Sequence, residues 1–178
     1  IATQGKAPYR TVITHGMIVD EERQKMSKSR GNGISPDDIL AQYGADVMRL
    51  WVASSDYRQD MRISKDMLGH LSQNYLKIRN TARYILGNLF DFNPQTDKIA
   101  YTELPELDKW ALMKLNELVA KVREGYDSYE FHTVFHTIHK FCVVDMSNFY
   151  LDVIKDRLYV EAPDSEDRRA AQSTIYTI

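Results

Sequence analysis

The sequence predicts a mainly α-helical protein, in which an antiparallel helix bundle follows a small α/β segment. Beyond residue 64, apolar residues recur at spacings of three and four along several long segments, which is the period of amphipathic helices. Before residue 20, β-branched and aromatic residues cluster in short runs that are typical of strands. The change of pattern predicts a domain boundary near residue 60, with a first unit of residues 1–60 and a second of residues 61–178.

The first unit is predicted to contain two strands, an exposed loop and two short helices. The strand pattern covers residues 9–14 and 18–19, with His15 and Gly16 as a break. Residues 20–33 are polar and charged, with glycines at the end, which predicts an exposed, mobile loop. Ser35 and Pro36 then form a strong helix start, and this helix is expected to end at Gly44. A second helix near Ala45 is expected to direct four residues inward: Val47, Leu50, Trp51 and Ala53.

The second unit is predicted to be a bundle of three or four helices. The first follows Ser64, and its apolar stripe is Leu68, Leu71, Tyr75, Ile78, Ala82, Ile85 and Leu89. The second opens at Pro105 and is expected to end near Gly125. The third begins near Phe131, and its predicted buried residues are Val134, Phe135, Ile138, Phe141, Cys142, Phe149 and Val153. A fourth begins near Ser165 and continues to the last residue without a stop signal, so we expect fraying there.

Composition excludes several classes of protein. The 23 basic and 25 acidic residues give a net charge of −2, so any contact with RNA must use local patches of charge. The longest apolar runs have four residues, far short of a membrane span. A single cysteine, Cys142, rules out an internal disulfide and fits a reducing compartment, so a cytoplasmic location is expected.

The polar loop contains the most informative string, Lys25-Met26-Ser27-Lys28-Ser29. Two ammonium groups three residues apart, together with two hydroxyl groups, are suited to binding a polyphosphate. Gly31 and Gly33 allow the loop to change its backbone conformation on binding, and Met26 is an apolar anchor among charged residues. Composition alone would favour a solvated, lysine-rich surface loop. The specific string of five residues favours the phosphate-binding interpretation instead.

This string resembles the lysine signature of class I aminoacyl-tRNA synthetases, and its surroundings resemble the isoleucine-specific members. The resemblance covers essentially the whole chain. Its motifs are Thr14-His15-Gly16, Gly44-Ala45-Asp46, Arg49 to Ser54, Lys77 to Thr81, Tyr129 to His132, Phe149 to Asp152, and Lys155 to Tyr159. Arg30, Gly33 and Ser35 depart from the family pattern. The resemblance implies a remnant of the Rossmann-type catalytic domain, followed by a truncated anticodon-binding domain.

The resemblance also implies a function for a longer parent enzyme, which would join isoleucine to ATP and transfer it to its tRNA. Lys28 is the implied catalytic residue and Lys25 its assistant, since positioned ammonium groups stabilise charge that develops on the phosphoryl group. The implied ATP-binding residues are His15, Gly16, Lys25, Met26, Ser27, Lys28 and Ser29. Mg²⁺ is expected to arrive with ATP, and no cofactor is expected to bind this chain tightly. Because the family's histidine signature is missing, we expect the isolated chain to be inactive. The parent enzyme is expected to be a monomer.

Weaker signals have two readings each. Arg79, Asn80, Arg83, Lys155 and Arg157 are candidate contacts to the tRNA anticodon arm, and the alternative is a polar network between helices. An exposed tyrosine such as Tyr150 or Tyr159 could stack on a splayed base, although core packing is the safer interpretation for this aromatic-rich helix.

His132, His136 and His139 share helical spacing, but they flank apolar positions, so no metal site is predicted. Cys142 is interpreted as a buried small hydrophobic residue rather than a nucleophile. Two rival functions remain open: a non-enzymatic RNA-binding protein, and a helical interaction module without a nucleic-acid partner.

Overall fold

The computed structural model describes residues 4–178, and the side chain of Lys28 lies outside that description. Two strands, β1 (Ile18–Val19) and β2 (Met61–Arg62), flank helices α1 (Pro36–Tyr43) and α2 (Ala45–Ser54). The bundle contains α3 (Lys65–Gly87), α4 (Glu106–Asp127), α5 (Phe131–Lys140), a π-helical segment (Phe141–Tyr150), α6 (Leu151–Val153), α7 (Lys155–Tyr159) and α8 (Glu166–Thr177). The predicted fold class, a mainly α-helical bundle after a small α/β segment, is confirmed.

The small sheet differs from the predicted pair of strands. β1 pairs in parallel with β2, with Ile18 opposite Met61, and α1 and α2 supply the crossover that a parallel pair requires. The strand predicted at residues 9–14 is wrong, because these residues form no regular structure. Tyr9, Val12 and Ile13 are exposed, so their strand-like pattern has no partner strand to pair with.

Serine hydroxyls cap three of the helices. Ser35 accepts a hydrogen bond from the backbone N–H of Asp37 at 3.3 Å, and Ser64 and Ser165 make the same kind of bond at the starts of α3 and α8. Gly44, at a φ of 82°, separates α1 from α2. The predicted starts of these helices and the predicted end of α1 are therefore confirmed.

Two hydrophobic clusters form the core. The first joins the α/β segment to the bundle and consists of Ile39, Val47, Trp51, Ile63, Leu68, Leu71 and Phe135. The second lies inside the bundle and consists of Ala111, Phe141, Met146, Tyr150, Leu151, Ile154, Leu158, Ala171 and Ile175. Because the first cluster crosses residue 60, the two predicted units share buried surface there.

The third long helix buries only part of the predicted set: Val134, Phe135 and Phe141 are buried as predicted, but two later residues are not. Phe149 and Val153 are 45% and 50% exposed, whereas Met146, Tyr150 and Ile154 are fully buried. The π-helical segment explains the difference, because its i→i+5 hydrogen bonds widen each turn and rotate the following residues relative to an α-helix. The prediction that Phe149 and Val153 lie in the core is therefore wrong.

Helix α8 is one of the most buried elements, in contrast to the frayed end that the sequence predicted. Residues 170–175 are all buried. Gln172 donates hydrogen bonds to the backbone oxygen of Asn88 and to Asp91 Oδ1, at 3.0 and 2.7 Å. Arg168 also donates to Asp91, at 2.9 Å. These contacts hold α8 against the segment that follows α3.

No helix in residues 4–178 is both long and apolar enough to cross a bilayer.

Candidate functional site

The lysine loop, residues 20–33, is closed by a side-chain clamp between its two ends. Asn32 donates from Nδ2 to Asp20 Oδ2 at 2.7 Å, and its Oδ1 accepts the backbone N–H of Ser27 at 2.9 Å. The other oxygen of Asp20 accepts the backbone N–H groups of Glu22 and Gln24. The hydrogen bond from Asn32, followed by the one from Gln24, lowers the pKa of Asp20 below its ordinary value. The loop is exposed, as predicted, but its ends are held together.

Within this loop, the apolar and polar residues of the signature are separated. Met26 is partly buried against the first hydrophobic cluster, which anchors the loop as predicted. The hydroxyls of Ser27 and Ser29 lie 3.2 Å apart, and Lys25 and Ser29 are exposed. The backbone of Lys28 belongs to a single 3₁₀ turn, Lys28–Arg30. The Lys25 ammonium and the Ser29 hydroxyl are therefore exposed on one short stretch of backbone, with the partly exposed Ser27 between them.

Gly16, the residue after His15, is packed against another backbone segment. A Cβ atom at Gly16 would lie 2.2 Å from the carbonyl carbon and oxygen of Gln59. The Gly16 N–H donates to Tyr57 O at 2.8 Å, and the Met17 N–H donates to Asp60 Oδ1 at 2.8 Å. The exposed ring of His15 bonds to the Gly16 oxygen at 2.7 Å. Only glycine fits this close approach, whereas the sequence pattern alone indicated a simple break between two strands at this position.

The same segment, residues 56–60, contacts the turn between α4 and α5. The Tyr57 hydroxyl donates to the backbone oxygen of Tyr129 at 2.9 Å, and the Tyr57 ring lies 5.8 Å from the ring of Phe131. Arg58 forms an ion pair with Glu130 at 3.0 Å, and this hydrogen bond raises the pKa of Arg58. The residues that precede the lysine loop are thus joined to the bundle through residues 56–60. These contacts could not be predicted from local sequence patterns, since they join positions 72 residues apart.

Three of the predicted RNA contacts lie together on the surface of α3. Arg79, Asn80 and Arg83 are exposed. Within the described residues, neither arginine forms an ion pair or a side-chain hydrogen bond. Lys155 borders the same cavity as Asn80, with a volume of about 220 Å³, and is paired with Asp152 at 2.6 Å on the exposed surface. These four residues form one polar surface, which we call the α3 face.

Arg157, the fifth predicted RNA contact, is part of a polar network between helices. Its guanidinium donates two hydrogen bonds to Asp108, at 3.0 and 2.7 Å, and lies 2.8 Å from Asp167. Asp108 is fully buried and also accepts the hydroxyl of Tyr150. Burial alone would lower the pKa of Arg157, but the hydrogen bonds and charge of Asp108 raise it. As a correction, Arg157 has a structural partner and is not part of the α3 face.

Tyr150 is also not available for stacking on a base. It is fully buried in the bundle, and burial followed by the charge of Asp108 raises the pKa of its hydroxyl. Tyr159, by contrast, is 62% exposed. The structure therefore separates the two tyrosines that the sequence analysis considered together.

The histidines of α5 pack on an aromatic ring. His136 and His139 lie 5.2 and 6.1 Å from the ring of Phe135, and burial followed by the charge of Lys77 lowers the pKa of His139. In residues 4–178, no group of three potential ligands could hold a metal ion. Cys142 is partly buried, and burial raises the pKa of its thiol, as expected for a packing residue.

Comparisons with known protein families match the beginning and the end of the chain separately. The family model of class I tRNA synthetases for isoleucine, leucine, methionine and valine matches residues 1–64. The anticodon-binding domain of tRNA ligases matches residues 108–178. The chain belongs to the class I aminoacyl-tRNA synthetase family.

Within that family, the chain is similar to isoleucine–tRNA ligases. It is 57% identical to the one from Caldicellulosiruptor bescii and 56% identical to the one from Caldanaerobacter subterraneus subsp. tengcongensis. Each match covers 100% of this chain and 19% of the relative, so the chain spans about a fifth of the length of these proteins.

A solved structure has the same fold at low identity. It is the ternary complex of Agrobacterium radiobacter K84 agnB2 LeuRS with tRNA and LeuAMS, and it is 17% identical to this chain with a TM-score of 0.62. The match covers 89% of this chain and 20% of that one. At this identity the similarity supports the fold only.

Proposed function

We propose that this chain is the lysine-loop and anticodon-arm portion of an isoleucine–tRNA ligase, which forms isoleucyl adenylate from isoleucine and ATP and transfers the aminoacyl group to tRNA(Ile). The observation that carries this proposal is the signature Lys25 to Ser29, held in a loop whose ends are clamped by Asp20 and Asn32. The chain is 54–57% identical to isoleucine–tRNA ligases over its whole length, which supports isoleucine as the amino acid substrate in this proposal.

The lysine loop binds the phosphates of ATP in this proposal. Lys25 and Lys28 stabilise the negative charge that develops on the α-phosphoryl group and on the leaving pyrophosphate, while Ser27 and Ser29 donate hydrogen bonds to phosphate oxygens. Met26 fixes the loop against the first hydrophobic cluster, and His15 and Gly16 border the ATP site. The described residues lack an acidic cluster that would hold Mg²⁺, so the metal belongs to the ATP complex and we assign it no protein ligands.

The α3 face contacts the tRNA anticodon arm in this proposal. Arg79 and Arg83 neutralise phosphates, and Asn80 and Lys155 border the same surface. The parent enzyme is proposed to act as a cytoplasmic monomer, and the single, partly buried cysteine of this chain is consistent with the reducing compartment in that proposal. This chain alone lacks the histidine signature of the family, and we expect it to have no exchange activity.

Replacing Lys28 with alanine in the full-length enzyme tests the catalytic assignment. We expect Lys28→Ala to lower the rate of adenylate formation by roughly 100-fold or more, because the lost ammonium acts on charge that develops in the transition state. The KM for isoleucine is expected to change little. Isoleucine-dependent exchange of pyrophosphate into ATP measures both quantities.

A lysine outside the loop provides the control. Lys98→Ala removes an exposed lysine from the connection between α3 and α4, and we expect it to leave the exchange rate unchanged. A Lys28→Ala enzyme with unchanged turnover and only a raised KM for isoleucine would contradict the assigned role. Exchange activity from the isolated 178-residue chain would contradict the expectation that this portion is inactive alone.

A further inference from the structure

The lysine loop is tied to the rest of the fold at its first residue, Asp20, which directly follows β1. Val19, the last residue of that strand, is 5% exposed, and its carbonyl oxygen accepts a hydrogen bond from the Ile63 N–H at 3.1 Å. The backbone N–H of Asp20 itself donates to Gln24 O at 3.0 Å. Asp20 is therefore fixed at the end of β1, and its side chain can position the residues that follow.

A relay of hydrogen bonds runs from Asp20 into the lysine signature. Asn32 donates from Nδ2 to Asp20 Oδ2 at 2.7 Å, while Asn32 Oδ1 accepts the Ser27 N–H at 2.9 Å. Asn32 Nδ2 also makes a longer contact to Lys25 O, at 3.4 Å. Ser27 is the central residue of the signature and directly precedes Lys28. Two side chains outside the signature thus fix its backbone at the middle.

Other contacts of this stretch are weaker. Among the described side chains of residues 26–33, those that form hydrogen bonds outside the stretch belong to Arg30 and Asn32, and the bond from Arg30 to Gln24 is 3.3 Å long. Met26 adds an apolar contact to the first hydrophobic cluster. The polar contacts that shape the signature therefore depend mainly on Asn32.

The charge of Asp20 argues against a direct contact with ATP, because a carboxylate that faced a polyphosphate would repel it. Asp20 instead directs one oxygen at the N–H groups of Glu22 and Gln24 and the other at Asn32. The hydrogen bond from Asn32 is the main cause that lowers the pKa of Asp20 below its ordinary value. The negative charge is thus stabilised by groups within the loop.

These contacts indicate a role that differs from that of the lysines. We propose that Asp20 and Asn32 are positioning residues for adenylate formation: their mutual hydrogen bond holds the backbone of Ser27, and with it the signature, in the conformation that binds the phosphates of ATP. This inference rests on the function proposed for the lysine loop. A loop that is already ordered loses less conformational entropy when it contacts ATP, so more of the interaction energy lowers the barrier to reaction.

Exchanging the two side chains in the full-length enzyme tests the hydrogen bond between them. Asp20→Asn leaves an amide N–H group facing another N–H group in either orientation, and Asn32→Asp places two carboxylates opposite each other. In the double variant, the amide at position 20 accepts the same backbone N–H groups and donates to the carboxylate at position 32, whose other oxygen accepts the Ser27 N–H. The double variant therefore restores the relay, apart from the longer contact to Lys25 O.

Isoleucine-dependent exchange of pyrophosphate into ATP, measured without tRNA, is the readout. We expect each single replacement to lower kcat by roughly 10-fold or more, because small displacements of groups that act in the transition state have large effects on rate. The double variant is expected to recover to within about 5-fold of the unsubstituted enzyme. The KM for isoleucine is expected to change less than about 2-fold in all three variants, because the loop contacts ATP rather than isoleucine in the proposed function.

Asn93→Asp provides the matched control, because it introduces the same carboxylate into the exposed connection between α3 and α4. The side chain of Asn93 accepts the Gln95 N–H at 3.0 Å, a bond that a carboxylate can also accept. We expect this variant to keep the exchange rate of the unsubstituted enzyme. An equal loss of rate in Asn93→Asp would show that the effect is not specific to the lysine loop, and the inference would be wrong.

The remaining outcomes separate this inference from the proposed function. If Lys28→Ala lowers the exchange rate but both single variants of the clamp keep it, the positioning role is wrong and the function of the lysine loop stands. If the double variant is no faster than the single variants, the hydrogen bond between the two side chains does not carry the effect, and the inference is refuted. Single variants that melt at lower temperature and raise the KM for isoleucine as much as they lower kcat would also overturn it, since the pair would then stabilise the domain as a whole.

Discussion

Replacing Gly16 with alanine is expected to destabilise the protein far more than the same replacement at an exposed glycine. A Cβ atom at this position would lie 2.2 Å from two backbone atoms of Gln59, about 1.2 Å closer than ordinary contact at 3.4 Å. Backbone atoms cannot rotate away as a flexible side chain can, so the two segments must separate. That separation acts on the hydrogen bonds from Gly16 to Tyr57 and from Met17 to Asp60.

The size of the effect follows from these contacts. Overpacking against fixed atoms costs about 1–3 kcal/mol, and each weakened hydrogen bond adds up to about 1 kcal/mol. We therefore expect Gly16→Ala to lower the free energy of unfolding by roughly 2–4 kcal/mol. Urea denaturation followed by circular dichroism measures this as a lower midpoint with an unchanged m-value.

A glycine in open space provides the matched control. Gly69 lies inside α3, and a Cβ there would meet no heavy atom within 4 Å. Alanine also has the higher helix propensity, so Gly69→Ala is expected to raise the free energy of unfolding by about 0.5–1 kcal/mol. If Gly16→Ala is as stable as the unsubstituted chain, the close approach to Gln59 does not constrain this position and the reasoning is refuted.

Two further predictions concern the buried network and the response to acid. Asp108→Ala leaves the guanidinium of Arg157 and the hydroxyl of Tyr150 without their buried acceptor, so we expect a loss of about 3–5 kcal/mol in urea denaturation. Glu117→Ala, which removes a surface pair with Lys114, is expected to cost less than about 1 kcal/mol, and equal losses would contradict the network's role. Burial alone would raise the pKa of Asp91, but hydrogen bonds and charge from Gln172 and Arg168 lower this pKa below the ordinary value of 3.8. The carboxylate of Asp91 therefore stabilises the fold above pH 3.8, and this stabilisation is lost as the pH falls through the folded-state pKa. Asp91→Asn is therefore expected to flatten the decline of stability below about pH 4, and an unchanged decline would show that this carboxylate does not contribute.

Local signals in the sequence were sufficient to locate most helices. Ser35 with Pro36, Ser64, and Ser165 mark helix starts through bonds that span only two or three residues, and such bonds can be inferred from the neighbouring sequence. The lysine loop was found in the same way, because its residues are consecutive. Its clamp was not predicted, since Asp20 and Asn32 are 12 residues apart and neither belongs to the signature.

The errors of sequence prediction arose where distant residues decide the structure. The pattern at residues 9–14 is that of a strand, but the strand that pairs with β1 lies at Met61–Arg62. The phase error in the third helix arose because a fixed helical period was continued through Phe141–Tyr150, where π-helical hydrogen bonds lengthen the turn. Thr81 lies across from this segment, and its hydroxyl lies 2.8 Å from that of Ser147, a contact that helical periodicity does not reveal.

The contacts of the predicted RNA-binding arginines show why residue type alone does not define a surface that binds nucleic acid. Arg79 and Arg157 were equivalent candidates in the sequence, as cations on helices of a nearly neutral protein. Asp108, 49 positions before Arg157, accepts two hydrogen bonds from it and converts it into a bond between helices. Arg79 and Arg83 have no such acceptor in the described structure, so their charge remains available to phosphates. The RNA binding that we propose for this chain therefore depends on which cations the bundle leaves without an internal partner, rather than on its net charge of −2.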